Sequence, residues 1–263
     1  MLKKLLKYDL KFVYKSVWVF YVLILFFSAL ARVFAEVEQT TLMLVLKGIA
    51  RGAAISFMFS AVINNIFACW RRFNGHLYGD ESYLTHTLPI EKKTIYVSHF
   101  LNAIITIFTS VLASFTGCVI MFYSEGNIEM LRVIMKGMAD SYDGTPLGMV
   151  LLFAGIIFSQ MIFIVQTGYK GLVLGHRAEN GKMGKSVLCG FLIYFAVQVL
   201  ILVTVYVIAL FDANIMQIFT DNTMESVQAF KTVLYVIGGM YIFFVICHGV
   251  LDVKLLQKGV NVE

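Results

Sequence analysis

The chain has 263 residues, 59% of them apolar and only 14% charged, with a formal net charge of +5 and a mean hydropathy of +0.82. An ordinary soluble domain carries about 25% charged residues. This composition would leave its apolar surplus facing water, so it marks a membrane protein and excludes a soluble ATPase, kinase or dinucleotide-binding domain within these residues. With two prolines and no long polar stretch, neither a Pro-rich linker nor a sizeable soluble domain is expected at either end.

A helix needs about 20 mostly apolar residues to cross a bilayer, because each backbone group must be hydrogen-bonded within the segment. Before the first such run, Lys3, Lys7, Lys11 and Lys15 recur every four residues. Leu2, Leu5, Leu6, Phe12 and Val13 fall mainly on the other side of the helical wheel. The pattern predicts an amphipathic interfacial helix over 1–15; the same lysines also serve as a plain positive-inside anchor. Six spans are predicted, at about 16–35, 48–69, 95–123, 147–170, 187–211 and 231–251. The first is too long for a signal peptide and is expected to stay as an anchor.

Span two carries Arg51 near one end, where it can snorkel, and the pair Asn64 and Asn65. Between spans two and three lies the most informative segment, WRRFNGHLYGDESYLTHTLPIEKKT, residues 70–94. Its 25 residues exceed the two to eight usual between bundled helices. Phe73, Leu77, Tyr78, Tyr83, Leu84, Leu88 and Ile90 give it enough apolar content to order. Asp80 and Glu81 favour the positive end of a short helix, and Pro89 disfavours helix at Leu88. Spans three and four bring further neutral polar residues, Asn102, Gln160 and Gln166, which either line a route or bond helix to helix. Small-xxx-small pairs occur at Gly48/Gly52 and Gly171/Gly175. The basic, glycine-rich loop 175–186 belongs at the phosphate level, and loops 124–146 and 212–230 are expected to form short helices over the opposite face.

Fifteen of the 21 Lys and Arg fall on the side of the two termini, Arg71, Arg72, Lys92, Lys93 and Lys170 among them, against six on the other side. This places both termini in the cytoplasm. Anionic lipid accounts for the positive charge, with no nucleic acid implied. The chain lacks a GxxxxGK[ST] phosphate loop, an HExxH helix and a GxSxG elbow. Its four cysteines lack disulfide or zinc spacing and are expected as buried thiols. The five histidines, His76, His86, His99, His176 and His248, are scattered along the chain, so no metal site or catalytic residue is predicted from local spacing. An Asp or Glu near a span centre, the usual mark of proton-driven transport, is missing too.

Residues 79–101, GDESYLTHTLPIEKKTIYVSHFL, resemble the cytoplasmic loop of ABC-2 type transporter permeases. There an acidic pair precedes a hydrophobic-His-Thr-Leu-Pro core and a basic patch; the matching positions are Asp80, Glu81, Leu84, His86, Thr87, Leu88, Pro89, Lys92 and Lys93. Within that family the chain looks most like small bacterial exporters of lantibiotics, phenol-soluble modulins and related antimicrobial peptides. The resemblance implies an all-α membrane protein of six transmembrane helices, with a coupling helix between spans two and three, at about 76–90, seated in a separate ATP-binding cassette subunit. Asp80 and Glu81 would make the charge contacts, Tyr83, Leu84 and Leu88 the apolar ones, and His86 a packing or hydrogen-bonding contact. Two such subunits would bind ATP and Mg, with no cofactor in this chain, and a second permease copy would complete a homodimer or heterodimer. The cargo would be an amphipathic peptide moved out across the cytoplasmic membrane, along a path to which Asn64, Asn65, Asn102, Gln160 and Gln166 would contribute. The other classes in view are an intramembrane enzyme and an ATP-independent immunity or binding protein.

Overall fold

No glycine or proline interrupts the sequence between Leu2 and Glu36, and one helix, α1 (Leu2–Glu36), runs through both the lysine-rich lead-in and the first apolar run. The expected separate interfacial helix at 1–15 is therefore the first turns of a longer one. The physical reason is its buried stripe: Asp9, Val13, Val17, Ile24, Ser28 and Ala31 recur along one face from the lead-in to the span, so the first fifteen residues are held by the same packing as the rest. Lys3, Lys7, Lys11 and Lys15 stay exposed opposite that stripe.

The computed structural model describes all residues except 38–39, 80, 88–89, 142–144, 221–226 and 259–263, and at 84, 86, 125, 141, 213, 218, 227 and 228 the backbone alone. The described residues are all-helical, with no strand. After α1 come α2 (Thr41–Leu77), α3 (Ser82–Thr87), α4 (Lys92–Phe122), α5 (Glu125–Ser141), α6 (Pro146–Gly175), α7 (Lys182–Phe211), α8 (Ala213–Thr220) and α9 (Val227–Gln257). Six of these, α1, α2, α4, α6, α7 and α9, are long and apolar enough to cross a membrane. At 1.5 Å per residue they measure about 45 to 55 Å, against a hydrocarbon layer of about 30 Å. They accordingly overrun the predicted spans, and the overrun carries much of the buried polar chemistry. The loops expected to be short helices contain α5 and α8.

Local signals set the ends. Thr40 accepts from the Met43 amide at 3.4 Å and Thr145 from that of Gly148 at 3.1 Å, ahead of Pro146 in the first turn of α6, so side-chain oxygens satisfy donors that a helix start leaves open. Gly181 enters α7 with φ +67°, a left-handed conformation that glycine adopts without strain.

The chain divides into two compact units, Met1–Met130 and Leu131–Asn261. In the first, α1 packs along α2 and α4, which also touch each other, and α3 rests on α2. Alanines 31, 50, 54 and 61 let α1 and α2 approach around Ile24 and Met58. A Cβ at Gly117 would come 2.5 Å from Ile24 Cγ2 and 2.8 Å from Met58 Cε, so that glycine admits α4. In the second unit α6 packs on α7 and α9, with α8 against both α7 and α9, around Phe163, Val197, Ile201 and Tyr241. There the Gly171/Gly175 pair has a definite use. A Cβ on Gly171 would meet the Ser186 carbonyl oxygen at 2.6 Å, and one on Gly175 would overlap the Ser186 backbone. By contrast, Gly48 and Gly52 face open space.

Candidate functional site

The loop after α2 closes quickly. The amides of Tyr78 and Gly79 both donate to the Asn74 carbonyl, and that of Ser82 donates to Gly79 at 2.9 Å, starting the six-residue α3. Ser82 and Thr85 turn inward, the Thr85 hydroxyl donating to the Glu81 carbonyl at 2.9 Å. Tyr83 points outward, 74% exposed. Of the other predicted docking residues, Asp80 and Leu88 lie outside the described residues, as does Pro89. Leu84 and His86 belong to the α3 backbone, with side chains outside the description.

Glu81 is partly committed within the chain. Its carboxylate accepts from Arg72 Nη1 at 2.7 Å, while Arg72 Nε donates to Asp9 Oδ1 at 2.8 Å. Ser98 Oγ donates to the other Asp9 oxygen at 2.6 Å. Arg72, one turn from the end of α2, thus joins α1 to the start of α3, and Asp9 joins α1 to α4. The Asp9 side chain is 0% exposed. A buried carboxylate costs several kcal/mol unless well partnered, and here a charge-assisted bond and a short hydroxyl bond supply that partnership.

Two histidines complete the cluster. His76 Nδ1 lies 3.0 Å from His99 Nε2, and the rings approach Asp9 at 4.0 Å and 3.7 Å. Phe73 meets the His99 ring edge-on at 5.2 Å. Asp9, His76 and His99 offer ligand atoms within 4.8 Å of one another, a donor set that could hold a metal ion. Both carboxylate oxygens, however, already accept from Arg72 and Ser98, and the guanidinium puts a fixed positive charge where a divalent ion would need the carboxylate. The arrangement fits a hydrogen-bonded polar core better than a metal centre.

From this cluster a polar ladder continues between α2 and α4. Asn65 Nδ2 donates to Ser110 Oγ at 2.8 Å, Cys69 lies between Asn65 and Asn102 at 3.5 and 3.9 Å, and Tyr21 of α1 joins Ser110 at 2.7 Å. Asn65 and Asn102 are therefore buried helix-to-helix links in this conformation, and Asn64 accepts from Ser16 of α1 at 3.3 Å. Gln160 is half-buried and Gln166 buried, both in the second unit. All four cysteines are free thiols; Cys69 alone is fully buried, the other three being half-buried.

The second unit has its own buried charges. Lys170 Nζ on α6 stands 3.8 Å from Asp252 Oδ1 on α9, close to the end of each helix. His248, also buried, packs its ring 5.3 Å from Phe163. In the turn after α6, burial holds the His176 imidazole below its ordinary pKa range, and Arg177 donates to the Leu255 carbonyl at 2.8 Å.

Sequence reasoning missed the centre of the first cluster. It counted Arg72 and Lys170 among the lipid-side positive charges and took the histidines as scattered, yet His76 and His99 touch. A signal was present in the spacing: Asn65, Cys69, Arg72 and His76 on one helix, and Ser98, Asn102, Thr106 and Ser110 on the next, recur every three or four residues. Two such polar stripes on consecutive antiparallel helices meet. Asp9, on a third helix, had no comparable signal. Neither protein-family models nor curated proteins nor solved structures gave a match to this chain.

Proposed function

We propose that this chain is the permease subunit of an ATP-driven exporter of the ATP-binding cassette type. It works with a separate subunit that binds ATP and Mg, and α3 is the element that docks there. The observation that carries the reading is the fastening of α3: an exposed Tyr83 on a short helix whose leading Glu81 is tied through Arg72 to buried Asp9. A docking helix must pass a push to the spans, and an ion-paired linkage anchored on a buried carboxylate moves as a unit. When the ATP-binding subunits close, the shift reaches α1 through Asp9 and α4 through Ser98. Both termini are cytoplasmic, the exposed lysines at the start of α1 meet anionic headgroups, and two permeases with two ATP-binding subunits move an amphipathic peptide outward.

The test is a mild-detergent co-purification from native cells with an ATPase assay. Asp80/Glu81 charge reversal is a compound change, because Glu81 also holds Arg72, so Tyr83→Asp is the cleaner variant. A nucleotide-binding subunit that co-purifies with the wild type and is lost with Tyr83→Asp supports the docking assignment. An unaltered complex and unaltered ATPase coupling in the variant defeat it.

One observation favours a second reading, an intramembrane enzyme: Asp9, His76 and His99 converge from three helices. Against it, Asp9, Ser98 and His99 are fully buried, and the Ser98 hydroxyl is bonded to the carboxylate, where a nucleophile would be activated by an imidazole. Turnover of labelled lipid or peptide without ATP, abolished by His99→Gln, would establish the enzyme in place of the permease.

A further inference from the structure

The surface of α5 (Glu125–Ser141) is divided lengthwise. On a helical wheel Glu129, Arg132, Lys136 and Asp140 gather within roughly a quarter of the circumference. Met130, Leu131, Ile134 and Met138 occupy the opposite side. The apolar side is open: Met130 is 64% and Leu131 56% exposed, and Ile128 and Ile134 are exposed as well, while the exposed Val133 lies on the charged arc. Ala139, at one edge of it, is the single buried residue among the described side chains of this helix.

The chain itself limits where α5 can be. Only Tyr123 and Ser124 separate it from the end of α4, and residues 142–145 from the start of α6. Both neighbours are long enough to cross a membrane, and a chain that leaves a membrane at the end of one span re-enters from the same side. A fully extended chain covers at most about 3.5 Å per residue, so the two ends of α5 lie within about 10 Å and about 17 Å of the ends of those spans. The helix is about 25 Å long. A rod of that length, tethered so closely at both ends, is held at the membrane surface and cannot stand away from it. Phe122 and Tyr123, both exposed, are aromatic residues of the kind that anchor at that level.

We propose that α5 is an interfacial helix that lies in the plane of the membrane, with Met130, Leu131 and Ile134 sunk into the boundary between headgroups and acyl chains. Its occupant is the lipid bilayer. Charges of both signs along the outer arc make apolar burial the main attraction, with headgroup charge secondary. On the orientation proposed above, this is the outer leaflet, where α5 sits beside the exit of any exported cargo. The inference rests on the membrane-spanning reading of α4 and α6, and the experiment separates the two.

The chain has two tryptophans, Trp18 and Trp70. In a Trp18→Phe/Trp70→Phe background, single tryptophans are placed at Leu131, Ile134, Lys136 and, as reference, at the exposed Phe195 of α7. The full-length protein is reconstituted in phosphatidylcholine vesicles, with and without lipids brominated on their acyl chains. Expected is loss of most emission from Leu131→Trp, Ile134→Trp and Phe195→Trp with the brominated lipid, while Lys136→Trp is quenched by aqueous iodide. If iodide quenches the α5 positions alike while Phe195→Trp still reports lipid, the helix stands in water and the proposal falls. Protection of Leu131→Trp and Ile134→Trp from both quenchers also overturns it, with protein as the cover. If Phe195→Trp itself fails to report lipid, the spanning assignment fails first and takes this one with it.

Discussion

Each unit buries an acid–base pair between long helices, and the two pairs are built differently. In the first, Asp9 accepts two bonds of 2.8 and 2.6 Å from Arg72 and Ser98, and Arg72 reaches on to Glu81. In the second, Lys170 and Asp252 stand 3.8 Å apart, beyond hydrogen-bond distance. A guanidinium presents several donors in a fixed plane and can bridge two carboxylates; an ammonium is a point charge on a flexible stem. The first pair is thus a three-helix joint with a lead to the surface, and the second a wider charge contact between α6 and α9. The helix contacts differ in the opposite sense. Alanine and Gly117 contacts against side chains hold the first unit, whereas the second brings α6 and α7 backbone to backbone at Gly171 and Gly175.

The contrast breaks most directly at Arg72. Arg72→Ala leaves a buried carboxylate with its charge uncompensated, a loss of about 3 to 5 kcal/mol, read as a large drop in thermal unfolding temperature in detergent. Arg72→Lys is expected to recover only part of it, since a lysine cannot hold Asp9 and Glu81 in the same geometry. Full recovery by lysine would reduce the joint to simple charge balance. Next comes the glycine contact. Gly175→Val forces α6 and α7 apart and is expected to cost about 1 to 3 kcal/mol. Gly52→Ala, which meets open space, should stay within about 0.5 kcal/mol. Equal effects from the two would show that the close approach does not carry the second unit.

How far these features were legible in the sequence follows from what each depends on. Six apolar helices, the short helix between α2 and α4, and the helices in the two opposite loops depend on composition, length and local breakers, all written along the chain. The joint depends on which helix faces meet. Arg72 and His76 share one face of α2, and Ser98, His99 and Asn102 lie together on α4, so half of the cluster could have been found from the polar stripes. Asp9 stands alone among lysines in a lead-in whose charge pattern points to lipid, and only its burial against α2 and α4 reveals its partner. Lys170 and Asp252 are 82 positions apart on helices that meet only in the folded chain. Either residue read alone is a membrane-edge charge.

The comparison sharpens when both members of a pair are removed together. Lys170→Met with Asp252→Leu replaces the more widely spaced pair by apolar side chains. The desolvation cost of both ions then disappears, and stability is expected to be unchanged or raised by about 1 to 4 kcal/mol. Asp9→Leu with Arg72→Met should do worse, because it also strands Ser98 and releases Glu81. Melting temperatures of the two double variants beside the wild type check the ordering, and a reversal would mean that the first pair is no better integrated than the second.

The smallest effect on stability is expected at Glu81, where the ion pair reaches the surface. Its side chain is 54% exposed, so water already screens it, and Glu81→Gln should cost at most about 1 kcal/mol. The same change loosens α3 from Arg72, and under the permease reading its main consequence is mechanical. ATP binding by the partner subunit would proceed, while substrate movement per ATP hydrolysed would fall, because the push on α3 no longer reaches Asp9. Transport and ATPase rates measured together in reconstituted vesicles separate this from a docking defect, in which the complex itself is lost. If Glu81→Gln leaves the ratio unchanged, the Arg72 linkage is a structural clamp, and coupling through α3 must run by its apolar contacts alone.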